Sequence, residues 1–74
     1  MRTIDASCNV PADGARYIDD NPGIGLVKQR LHTQLAARLT DERLTFVREI
    51  STVVMWDGHL RGWTITITWK VRSR

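Results

Sequence analysis

The chain has 74 residues, a net charge of +3, three Trp, and one Cys, Cys8. That length sets a single domain near the size at which one core supplies only a few kcal/mol. A lone Cys excludes an internal disulfide, and with two scattered His residues it argues against a structural zinc site and for a reducing compartment.

The charge is uneven. Residues 1–21 hold two Arg against four Asp, net −2, and residues 22–74 hold nine basic against four acidic side chains, net +5. A basic body permits contact with nucleic acid or anionic surfaces without demanding it. MRTIDASCNVPADG has no apolar h-region, and no apolar run reaches membrane-spanning length. The expectation is a soluble cytoplasmic protein with no membrane partner.

In chain order, residues 2–8 can form a short first strand with Ile4 inward. Pro11, Asp13-Gly14 and Asn21-Pro22 then punctuate a long loop that Tyr17 and Ile18 would anchor. Asn21 as N-cap and Pro22 at the first helical position open a helix, with Asp19 and Asp20 placed to favour its dipole. Ile24, Val27, Leu31, Leu35 and Leu39 form an apolar stripe at spacings of three and four, with Lys28, Gln29, His32, Thr33 and Arg38 largely opposite. The helix is predicted from about Pro22 to about Leu39, with Thr40 to Arg43 as a frayed turn lacking a Gly cap.

Residues 44–72 read as one long β-hairpin, strands 44–56 and 59–72, around Asp57-Gly58 as a two-residue type I′ turn. That turn pairs Trp56 with His59, Val54 with Arg61, Ile50 with Ile65 and Phe46 with Trp69. Alternation then places Leu44, Phe46, Ile50, Val54 and Trp56 on one face with Trp63, Ile65, Ile67, Trp69 and Val71. Thr45, Glu49 and Ser51 take the other, with Thr64, Thr66, Thr68 and Lys70. The predicted fold is α+β, one amphipathic helix on an antiparallel sheet dominated by this hairpin, in a possible β-α-β-β order.

Each strand would span ~43 Å at ~3.3 Å per residue, against ~27 Å for the helix at 1.5 Å per residue. The apolar hairpin tip is therefore expected to overhang. Val54, Met55, Trp56, His59, Leu60 and Arg61 become interface residues of a homo-oligomer, unless the long loop folds over them. The primary functional expectation is a non-enzymatic interaction module that assembles with itself through this tip and its open sheet edges.

Arg48 falls on the apolar face of this hairpin, between Phe46 and Ile50 and opposite Ile67. There it could bind an anion or an inter-subunit carboxylate, or lay its stem over apolar neighbours and reach water. Lys70, Arg72 and Arg74, with Lys28 and Arg38 on the helix, are the phosphate contacts of an alternative nucleic-acid-binding role, although no row of aromatic stacking groups accompanies them. Trp63 and Trp69 read as core. Cys8 reads as a small inert thiol. His32 and His59 are each isolated, so catalysis would need a composite site between subunits using Arg48, His59 or His32. Gly23-Ile24-Gly25 lacks the third glycine and preceding strand of a nucleotide fingerprint, and Asp13, Asp19 and Asp20 do not fit an EF-hand. No cofactor and no metal are expected.

Phe46, Asp57-Gly58 and the alternation from Trp63 to Thr68, in a chain of this length and element order, resemble the dodecins, small flavin-storing proteins that form hollow shells. The resemblance covers roughly the hairpin and implies a small-ligand-binding assembly. The family's flavin-stacking Trp would fall near Thr45 and its Gln near Thr64, so neither ligand-contacting residue is present and flavin binding is not carried over.

Overall fold

The computed structural model describes residues 2–11, 22–59 and 61–74. The expectations for Asp13, Tyr17, Ile18, Asp19, Asp20, Asn21 and Leu60 lie outside them. Strand β1 (Arg2–Pro11) is followed by helix α1 (Pro22–Asp41), then strands β2 (Leu44–Asp57) and β3 (Gly62–Ser73). The three strands form one antiparallel sheet in the order β1-β3-β2. This is the α+β class with a C-terminal hairpin.

The helix stripe does what its spacing implies. Ile24, Leu31 and Leu35 are buried, with Val27 and Leu39 packed at the margin. They meet Ile4 and Val10 of β1, Leu44 of β2 and Trp63, Ile65, Ile67 and Val71 of β3. The central strand β3 holds the largest share of the core, because only a strand paired on both sides is shielded along both edges. The first strand is longer than expected and runs to Pro11. Ile4, Ala6, Cys8 and Val10 face the helix opposite Trp69, Ile67, Ile65 and Trp63.

The hairpin register differs from the one the Asp-Gly pair suggests. Asp57 pairs with Gly62, Trp56 with Trp63 and Val54 with Ile65, so the connection has four residues and β3 starts at Gly62 rather than at 59. Asp57 is not a type I′ residue. Its Oδ1 accepts a hydrogen bond from the His59 backbone N–H at 3.0 Å, an Asx-turn. Neither Asp57 nor Gly58 has a positive φ, and Arg61 takes it instead (φ 47°). The slip is four residues, an even number, so side-chain faces are preserved and alternation alone cannot distinguish the two registers. Gly62 explains the choice: a Cβ there would overlap the Val10 carbonyl oxygen, so this position must be glycine for β1 to close on β3.

Two irregularities then interrupt β2, between Phe46 and Arg48 and between Glu49 and Ser51, leaving Val47 and Ile50 as the extra residues. Each bulge shifts the alternation by one, and two restore it. Leu44, Phe46, Thr52, Val54 and Trp56 thus share the helix-facing side. Between the bulges the faces exchange. Glu49, expected on the polar side, comes to the helix face opposite Trp69, while Arg48, expected on the apolar side opposite Ile67, lies opposite Lys70 on the outer face. Ile50, expected opposite Ile65, is unpaired and lines the outer surface beside Arg48.

Candidate functional site: the free edge of β2 and the outer sheet face

The two sheet edges are not alike. Beside β1, Arg38 of the helix donates from Nη1 to the Asp5 carbonyl at 3.2 Å, and Pro11 has no N–H to offer. Along β2 lie Phe46, Val47, Ile50, Val53, Met55 and Trp56, six of the seven large apolar side chains that are exposed among the described residues. Met55 is 63% exposed and Trp56 56%. The bulged half of β2 carries Arg48 and Glu49. The regular half, Ser51–Asp57, carries no charge before Asp57.

Of the expected interface residues, Val54, Met55 and Trp56 lie on this edge. Val54 is half-buried against Ile65, and Trp56 stacks edge-on with Trp63 at 5.1 Å. His59 and Arg61 are exposed in the turn. The apolar surface therefore extends further back along β2 than the tip alone, to Ile50, Val47 and Phe46.

The bulges create a cluster that sequence spacing could not show. Glu49 Oε1 accepts hydrogen bonds from His32 Nε2 (2.8 Å) and Trp69 Nε1 (3.0 Å), and its Oε2 accepts from Thr52 Oγ1 (3.1 Å). The His32 ring stacks on Trp69 at 6.0 Å, and Phe46 meets Trp69 edge-on at 4.8 Å. The His32 hydrogen bond, followed by those from Trp69 and Thr52, holds the Glu49 carboxyl below the ordinary carboxylate range. This cluster clips α1 to β2 and satisfies the indole N–H. Thr52 bonds to the carboxylate and not to the imidazole, so the hydroxyl and His32 do not form a direct pair.

On β1 and β3 the outer face is polar. Ser7 and Thr66 hydroxyls meet at 2.8 Å, and Thr64 Oγ1 donates to Asn9 Oδ1 at 2.9 Å. Toward the start of β1 it becomes basic, with Thr3, Lys70 and Arg48 in one row across the three strands. Arg2, Thr3, Arg48, Ile50 and Lys70 surround an open concavity of about 320 Å³. Arg48 is exposed beside Ile50 and has no carboxylate partner among the described residues.

The five basic residues considered for nucleic acid do not share a surface. Lys70 and Arg72 lie on the outer strand face and Lys28 and Arg38 on the helix. Arg38 is also bound to Glu42, and Arg74 Nε donates to the Leu44 carbonyl. His32, His59 and Arg48 stand on the helix face, in the turn and on the outer face, so they do not converge within one chain. Among the described residues no helix is long and apolar enough to cross a membrane. No family model, curated protein or solved structure matches the chain.

Proposed function

We propose that the protein is a non-enzymatic interaction module that assembles with a second copy of itself by pairing β2 to β2. The observation that carries this is the concentration of exposed apolar side chains on the one edge strand whose regular half, Ser51–Asp57, is uncharged up to its last residue. An edge of this kind, β-branched and without Pro or Lys, is what monomeric proteins avoid exposing. On the opposite edge Arg38 takes the Asp5 carbonyl and Pro11 brings no N–H, so that edge is interrupted at two points.

The dimensions agree. The chain exposes 5242 Å², about 600 Å² more than expected for a compact monomer of this mass. Its radius of gyration is 13.7 Å, against about 11 Å for a typical 74-residue domain. A standard interface removes about 800 Å² per partner. The two bulges limit regular pairing to Ser51–Asp57, and a two-fold axis through Val54 sets Val53 opposite Met55 of the second copy and Thr52 opposite its Trp56. The result is a continuous six-stranded sheet with the free edge removed.

A mixed sample of isotope-labelled and unlabelled chains tests this arrangement. Intermolecular NOEs between Val53 and Met55 are the expected outcome. Intermolecular contacts confined to β1, or none at concentrations where the chain is associated, contradict it.

A further inference from the structure

We propose that the concavity framed by Thr3, Arg48, Ile50 and Lys70 binds a small phosphate monoester. The site is built by the register. Arg48 and Lys70 are directly opposite one another on neighbouring strands, and Thr3 lies directly opposite Lys70 on its other side. Like charges placed opposite each other on one sheet face destabilise it unless something sits between them. Among the described residues neither cation has an ion pair or hydrogen bond.

The nearby carboxylates do not neutralise this pair. Asp5 lies two residues along β1 from Thr3 on the same face, opposite Thr68, and makes no ion pair with Lys70 or Arg48. Glu42 is taken by Arg2 at 2.7 Å and Arg38 at 2.8 Å, and Glu49 has been turned to the other face. The bulges on either side of Arg48 and Glu49 separate the two charges, sending the carboxylate to the helix and the guanidinium outward. Bulges beside functional sites re-aim side chains in this way.

The chemistry selects the ligand class. A guanidinium accepts a phosphate in bidentate fashion, an ammonium adds a point charge, and a hydroxyl donates one further bond. Ile50 supplies an apolar wall for a short carbon skeleton, and about 320 Å³ is at the small end of ligand cavities. None of the three Trp residues faces this surface, so it offers no platform for stacking bases. That favours a compact phosphate ester over a nucleic-acid backbone. The site uses residues of one chain and does not depend on β2 pairing.

An NMR titration with glycerol 3-phosphate, inorganic phosphate and a twelve-residue oligothymidylate tests the proposal. Saturable shifts at Thr3, Arg48, Ile50 and Lys70 are expected with glycerol 3-phosphate, with weaker binding of inorganic phosphate, which cannot use Ile50. Arg48→Ala and Lys70→Ala should each weaken binding by about tenfold, while Arg30→Ala, which removes the same charge from the exposed helix surface, changes it less than about twofold. Removing either member of the like-charged pair should leave thermal stability unchanged or raised, so loss of binding is separable from loss of fold. The proposal is overturned by absence of site shifts at millimolar ester, by equal weakening in Arg30→Ala, or by oligonucleotide binding that prevails over the ester. The same titration on a β2-edge variant that no longer associates should give the same affinity if the site belongs to one chain.

Discussion

Arg43 shows what a single residue can cost. It sits between α1 and β2 with φ 54°, in the left-handed region where a Cβ is unfavourable, and its carbonyl accepts from the Arg74 N–H at 3.1 Å. The absent glycine at the helix end is therefore a real deficit. Arg43→Gly should stabilise the fold by about 0.5–1 kcal/mol, measurable by urea denaturation. Glu49 acts in the opposite sense. Its folded carboxyl titrates below the ordinary value of 4.5, chiefly because of His32 and then Trp69. The associated stability is present above the unfolded pKa and is lost as pH falls through the folded one. Glu49→Gln should thus lower the melting temperature at pH 7 and narrow the difference between pH 7 and pH 3. An acid transition as steep as that of the parent would show that the His32–Glu49–Trp69 clip does not contribute. Glu42, lowered by its bonds to Arg38 and Arg2, is exposed, and its replacement should have the smaller effect.

At the scale of elements, the helix and the strand identities were legible because each depends on a repeating signal. Ile24, Leu31 and Leu35 repeat at helical spacing, and Trp63, Ile65, Ile67 and Val71 alternate along β3. Register was not legible. Asp57-Gly58 suggests the tight turn, yet Asp57 serves an Asx-turn, and a four-residue slip leaves every alternating face intact. What decides between the registers is contact with a third strand, Gly62 against Val10, which no hairpin pattern contains. Gly62→Ala should accordingly separate the end of β1 from β3 and cost about 1–3 kcal/mol, with amide exchange rising at Asn9 and Val10 first. Uniform loss of protection across the sheet would contradict that local account. The bulges were equally hidden. Strict alternation through FVREIS places Arg48 inward and Glu49 outward, and only the demand of the Trp69 indole and His32 for an acceptor reveals the exchange.

The whole molecule is a helix on a sheet whose long axis, 44 Å, is more than twice its other extents of 18 and 17 Å. The exposed apolar side chains of β2 include Ile50, Val47 and Phe46 as well as Val53, Met55 and Trp56 near the tip. Sedimentation equilibrium over the micromolar range measures the consequence most directly. The wild-type chain is expected to associate, and Val53→Lys with Met55→Lys, two charges on the free strand, should return it to a monomer that is still folded. A wild-type chain that stays monomeric throughout that range, or a double variant that associates as before, would contradict self-assembly through β2.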